Sequence, residues 1–174
     1  MTDKMLTELA DFGSGCFWGT EAEFRKVPGV LDVKVGYEGG KLENPTYRAV
    51  CTDTTGHAEV VRVTFDPSKV SYGQLLAVFF ETHDPTTLNS QGPDFGTQYR
   101  SVIFYHSEKQ KQLAEAEKGR RDADGDYVGP IVTAVEPAKT FYPAEEYHQR
   151  YFEKQGVNYS CHLGNGKKPG RGCK

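Results

Sequence analysis

The sequence predicts an α+β domain, a two-layer sandwich of helices over a mixed sheet. Three observations carry that expectation. Residues 30–37 and 58–65 alternate apolar and polar side chains with the period of two that a half-buried strand requires. Two Ser-x-x-Gln signatures, Ser71 to Gln74 and Ser107 to Gln110, mark helix starts. The segments then run in the order β-α-β-β-α-β-α-β.

Each element has a local reason. The first strand leaves through Gly13-Ser14-Gly15 into a helix whose Phe17, Thr20, Phe24 and Val27 fall at helical spacing, and Pro28–Gly29 ends it. In 30–37, Leu31, Val33, Val35 and Tyr37 share one face, with Asp32, Lys34 and Gly36 opposite. In 58–65, Val61, Val63 and Phe65 point inward and Arg62 and Thr64 outward; Asp66–Pro67 then turns the chain into a helix built on Leu75, Leu76, Phe79 and Phe80. Residues 99–105 are apolar on both faces and read as a central strand. The helix opened by Ser107 runs to about residue 123, a strand follows at 131–136 and a short helix at 144–154. Two long irregular loops remain, 38–57 and 84–97, a length that is usually functional in a compact domain.

The chain has 174 residues, a net charge of −3 and four cysteines. That length fits one domain, with residues 1–154 as the catalytic unit and 155–174 as a tail predicted to be flexible, broken by glycines and basic at Lys167, Lys168, Arg171 and Lys174. The weak negative charge argues against a nucleic-acid partner, and no apolar run reaches the ~20 residues of a membrane span. The N-terminal residues mix charged and apolar types too early for an export signal, so a reducing cytoplasm is expected; a monomer is the simplest reading of the assembly. In that compartment Cys16, Cys51, Cys161 and Cys173, which include no C-x-x-C pair, are buried filler, metal ligands or reactive thiols.

Cys16 follows a Gly-rich turn in the first turn of a helix, where unpaired N–H groups and the dipole favour a thiolate. Phe17 belongs to the apolar stripe, and Trp18, the only tryptophan, lies off it, so the pair is suited to receiving a small apolar group. Glu59 either precedes a strand that starts at Val60 and points into solvent, or falls on the strand face of Val61 and Val63, where a carboxylate must be paired, line a cavity or be protonated. Burial there would raise its pKa toward that of a general acid. Tyr47 and Tyr99 border the irregular loops and offer uncharged donors for a polar oxygen. Cys51 reads as a buried small residue, and Glu21 as part of a solvated helix face. The five histidines show no metal-ligand spacing, and no metal site is expected.

The ordered motifs GCFWGTE, VPGV, GYEGG, NPTY, TGHAEV, HDPT, GTQYRS and AEEYHQRY, spread over residues 9–154, resemble the A-type peptide methionine sulfoxide reductases. The resemblance implies a ferredoxin-like α/β sandwich and action on the S epimer of methionine sulfoxide, free or protein-bound. It implies Cys16 as nucleophile, Phe17 and Trp18 as the pocket for the substrate methyl, Glu59 as the acid protonating the sulfoxide oxygen, and Tyr47 and Tyr99 as the phenols holding that oxygen. Asp94 and His148 match family positions near the site. It further implies a Cys16 sulfenic acid reset by disulfide formation with a tail cysteine, then reduction by thioredoxin or another dithiol, with no metal or organic cofactor. Cys161 matches the resolving cysteine, although Asn158-Tyr159-Ser160-Cys161-His162 departs from the Gly-Tyr-Cys-Gly of many relatives, and Cys173 resembles a second, relaying thiol. A cysteine hydrolase, a thiol peroxidase and a basic-tail binding module are the competing readings; the first needs no reductant and the second consumes peroxide.

Overall fold

The computed structural model describes residues 6–156 and 166–167. Its elements are β1 (Glu8–Ser14), α1 (Phe17–Arg25), β2 (Val30–Glu38), α2 (Tyr47–Val50), β3 (Ala58–Phe65), α3 (Tyr72–Glu81), β4 (Ser90–Gln91), β5 (Asp94–Phe95), β6 (Ser101–Tyr105), α4 (Glu108–Ala123), β7 (Ala134–Pro137), β8 (Tyr142–Pro143) and α5 (Tyr151–Lys154). Six strands form one sheet in the order β7-β6-β1-β3-β2-β8, and β4 pairs with β5 as a separate hairpin. Only the β6–β7 pair is parallel, so the sheet is mixed.

The alternation places Ala10 and Phe12 of β1, Val33, Val35 and Tyr37 of β2, Val61, Val63 and Phe65 of β3 and Ile103 of β6 in one core with Phe24, Leu75, Leu76, Phe79, Phe80 and Ala114 from the helices. Phe12 is its hub, stacking on Phe24 at 5.1 Å and Phe79 at 5.2 Å between centroids. Side chains of this size stabilise by roughly 1.5–3 kcal/mol each when fully buried. The opposite face buries Ala58, Val60, Val102 and Phe104 under Ala134, Ala138 and Phe141. There Asp11 is fully buried and paired bidentately with Arg62, both contacts at 2.9 Å.

Both Ser-x-x-Gln signatures start helices: Ser71 and Gln74 form a reciprocal capping box, and the Ser107 side chain accepts from Gln110 N. Several boundaries differ from expectation. Leu31 is 43 % exposed, because a bulge between Val30 and Asp32 takes it out of the alternation. β6 is shorter than 99–105 and lies one strand in from the edge, while Tyr99 occupies a 3₁₀ turn, Thr97–Tyr99. The strand expected at 131–136 is β7, displaced to Ala134–Pro137. The helix expected over 144–154 is broken into a 3₁₀ turn, Glu146–His148, and α5. The break is at Arg150, whose φ is 55° and whose N–H donates to the Glu21 carboxylate at 2.9 Å instead of to a helical carbonyl. Glu21 is therefore 2 % exposed, not solvated, and also pairs with Arg25 at 3.1 Å.

The expected flexible tail, with Cys161 and Cys173, lies outside the described residues apart from 166–167. There Lys167 Nζ contacts both Glu81 oxygens at 2.7 and 2.8 Å, and Val128 N–H donates to Gly166 O at 2.8 Å. No helix among the described residues is long and apolar enough to cross a membrane.

Candidate active site

The C-terminal ends of β1 and β2 and the start of β3 lie at one edge of the sheet, since the ladder aligns Tyr37 with Glu59 and Phe12 with Val61. A Cβ on Gly13 of β1 would lie 3.3 Å from Glu59 O, so the chain leading to Cys16 runs beside Glu59. Gly15 has φ +97°, and a Cβ there would fall 2.7 Å from Gln91 Cγ, so this turn needs glycine twice over. The turn delivers half-buried Cys16 to the N-cap of α1, one residue earlier than the first turn expected.

Burial pushes the Cys16 thiol up to about 12, and the charges of Glu59 and Asp94 push the same way. The amides of Trp18 and Gly19 do favour the thiolate, as a helix start should, but they are outweighed. The larger thiolate share expected from the helix start is thus corrected: burial outweighs the amides, and the thiol holds its proton. Glu59 shows why. Glu59 is 2 % exposed; Oε1 accepts the Phe17 N–H at 3.2 Å, and Oε2 has no hydrogen-bond partner among the described residues. Burial raises its carboxyl to about 8, with the Phe17 N–H opposing and the charge of Asp94 adding to the rise. At pH 7 Glu59 therefore carries a proton, and its share of the effect on Cys16 lapses with its charge. Of the two placements open for Glu59, the structure shows the inward one, with the carboxyl buried.

An aromatic cluster adjoins the nucleophile. Phe17 is 1 % exposed and belongs to the core, so it forms a floor, with Tyr37 at 5.7 Å and His148 at 5.2 Å between centroids. Trp18 is half-buried, and its Nε1–H donates to His148 Nδ1 at 2.9 Å. That bond leaves the proton of neutral His148 on Nε2, which is buried with no hydrogen-bond partner among the described residues, and burial lowers the pKa of the ring. Tyr47 packs 4.4 Å from the His148 ring. Tyr99 and Asp94 come from the hairpin side, which packs through Gln91 against Gly15. Burial and then the charge of Glu59 and of Asp94 raise the Tyr99 phenol, and burial, the nearby Cys51 thiol and Glu59 raise that of Tyr47, so both keep their protons. The structure thus gathers Cys16, Phe17, Trp18, Tyr47, Glu59, Asp94, Tyr99 and His148 at one sheet edge.

Cys51 is exposed, not buried: it caps the end of the four-residue α2, and its neighbour Val50 turns into the core instead. Sequence reasoning missed three contributors. Tyr151 stacks on Trp18, Tyr37 stands across from Glu59, and the Glu145 carboxylate accepts from both Tyr37 Oη and Tyr47 N–H. The alternation through Tyr37 was a usable signal; the other two depend on contacts remote in sequence. No group of His, Cys, Asp or Glu among the described residues is arranged to hold a metal.

A model of the family described as Peptide methionine sulfoxide reductase matches residues 8–170. The chain is 62 % identical over 154 residues to the peptide methionine sulfoxide reductase MsrA of Acidobacterium capsulatum, covering 88 % of this chain and 98 % of that one. The fold superposes on reduced Mxr1 of Saccharomyces cerevisiae with a TM-score of 0.81 at 40 % identity, covering 93 % of each chain. It also matches Mxr1 in complex with Trx2, with a TM-score of 0.59 at 32 % identity over 87 % of this chain and 88 % of that one. With its buried acid beside a helix-capping cysteine inside the matched span, this chain belongs to the A-type peptide methionine sulfoxide reductases.

Proposed function

We propose that this enzyme reduces the S epimer of methionine sulfoxide, free or in oxidised proteins, through Cys16, with Glu59 as the proton donor. The observation that carries the reading is the deeply buried Glu59 carboxyl, whose Oε2 has no hydrogen-bond partner among the described residues and which burial raises to about 8. A buried polar atom of this kind needs an explanation, and a sulfoxide oxygen supplies one. The Cys16 sulfur attacks the sulfoxide sulfur while Glu59 gives its proton to the oxygen; the proton shed by the thiol restores Glu59. The attack forms a sulfur–sulfur bond between Cys16 and the substrate; the protonated oxygen then passes to the Cys16 sulfur as that bond and the substrate's sulfur–oxygen bond break, leaving methionine and a Cys16 sulfenic acid. Tyr47 and Tyr99, both held protonated, donate to the same oxygen, and Phe17 and Trp18 receive the methyl group. Asp94 and His148 bind at the edge of this site, Asp94 through its charge and His148 through its bond to Trp18.

A tail thiol then condenses with the sulfenic acid, releasing water and forming a disulfide. Cys161 takes that role and Cys173 relays the bond outward to thioredoxin or a dithiol. The complex of the related Mxr1 with Trx2 supports such a partner. Thiols and one carboxylic acid complete the chemistry, so the enzyme uses no metal or organic cofactor. It acts as a cytoplasmic monomer, without nucleic-acid or membrane partners. The test supplies separated S and R methionine sulfoxide epimers with thioredoxin: turnover of S alone is expected. Equal turnover of both, or hydrolysis of an ester without reductant, would refute the reading.

A further inference from the structure

We propose that Glu145 is a positioning residue that sets where the Tyr47 phenol stands. The inference rests on the reading of Tyr47 as a donor to the sulfoxide oxygen. Tyr47 opens α2, a helix of only four residues. So short a helix gains little from its own hydrogen bonds and is fixed by its partners. Two outside groups do this at its start. The Thr46 side chain accepts the Ala49 N–H at 3.1 Å, and Glu145 Oε2 accepts the Tyr47 N–H itself at 3.0 Å. The other carboxylate oxygen, Oε1, accepts the Tyr37 Oη–H at 3.0 Å, and Tyr37 is the β2 residue directly opposite Glu59.

One side chain thus ties the helix that carries Tyr47 to the strand that faces the proton donor. The Glu145 main chain adds a third link: its carbonyl accepts the His148 N–H at 2.9 Å, and the His148 ring packs 4.4 Å from Tyr47. Burial opposes ionisation of Glu145, but the Tyr47 N–H and the Tyr37 hydroxyl outweigh it and hold the carboxyl below its ordinary value. Glutamine can reproduce the arrangement, with its carbonyl accepting from Tyr47 and its amide donating to Tyr37 Oη. Aspartate keeps the charge but falls short by one methylene. Reach, not charge, is the property required.

The test measures methionine formed per enzyme in a single turnover without reductant. Glu145→Ala and Glu145→Asp should slow this step by roughly 10–10²-fold, as misplacement of a positioned group does, and Glu145→Gln should stay within about threefold of wild type. The Glu145→Asp/Tyr47→Phe double variant should be no slower than Tyr47→Phe alone, because both changes remove the same contribution. Should the alanine variant not fold, the aspartate and glutamine variants carry the comparison, with thermal midpoints recorded for each. Losses that multiply in the double variant, or a glutamine variant as slow as aspartate, would overturn the role of Glu145. A wild-type rate for Tyr47→Phe would instead remove Tyr47 from the chemistry, and the positioning role with it.

Discussion

Tyr151 lies flat on the Trp18 indole, with centroids 3.8 Å apart and planes 9° from parallel. With the Nε1–H bond to His148 at 2.9 Å, this contact holds the indole from two sides. If Trp18 receives the substrate methyl as proposed, a ring fixed in this way discriminates because it does not move to fill the space of a missing methyl. Trp18→Ala should reduce kcat/KM for methyl sulfoxides by ~1–3 kcal/mol of transition-state binding. Tyr151→Ala should cost about 1 kcal/mol through loss of the stacked pair. Steady-state kinetics with methyl and ethyl sulfoxides, alongside thermal midpoints, separate the two roles. A collapse in stability with unaltered specificity would make these rings core packing only.

In the proposed reaction Glu59 acts in its protonated form, and burial raises its carboxyl to about 8. The single-turnover rate should therefore hold at neutral pH and decline above about 8, where the proton is lost. Glu59→Gln keeps the shape but delivers no proton, so the step should slow by about 10²–10⁴ and lose that alkaline limb. Rapid-quench measurement of methionine release across pH checks both. A glutamine variant with the wild-type rate moves the acid elsewhere.

The legible parts of the fold were those with local causes. The alternation around Val61 and Val63 located β3, and two Ser-x-x-Gln signatures located α3 and α4; that Glu59 points inward needed the strand's start at Ala58, which the alternation left open. The turn before Cys16 announced itself through glycines, one of which requires positive φ. Other features depended on distant partners. Glu21 has the helical spacing of a solvated acid and is buried only because Arg150, far along the chain, donates to it. That same bond interrupts the helix that periodicity extended over 144–154. The state of the Cys16 thiol was illegible for a related reason: a helix start favours the thiolate, and only the fold shows how much burial opposes it.

His83 is buried with Nδ1 on Phe79 O and Nε2 on Ser101 Oγ, and burial lowers its pKa from 6.5 to about 4. The unfolded chain protonates this imidazole near 6.5, whereas the native state refuses the proton until about 4. Stability from neutral His83 is therefore complete above that range and is lost as pH falls through it, by about 3 kcal/mol in all. Urea unfolding at pH 7 and pH 5 should show wild type losing more stability than His83→Gln. A difference between the two proteins that does not change with pH would contradict this.

Cys51 is exposed and has no part in the proposed transfer. Cys51→Ser should leave turnover within about twofold, whereas Cys161→Ser should complete one turnover and then stall with thioredoxin, because a tethered thiol closes the disulfide at high effective concentration. In the Cys173→Ser variant the Cys16–Cys161 disulfide should accumulate. Peptide mapping of the oxidised protein identifies the pair. An earliest disulfide between Cys16 and Cys173 would reverse the order.

The transfer of oxygen from substrate to Cys16 is tested most directly in the Cys161→Ser/Cys173→Ser protein, where no tail thiol can consume the product. One equivalent of S-methionine sulfoxide is added without reductant, and methionine and protein mass are followed together. One methionine per enzyme should form, with one oxygen gained at Cys16 and trapped there by a sulfenic-acid reagent. Methionine without oxygen on Cys16, or the same yield from a protein that also carries Cys16→Ser, would contradict the mechanism.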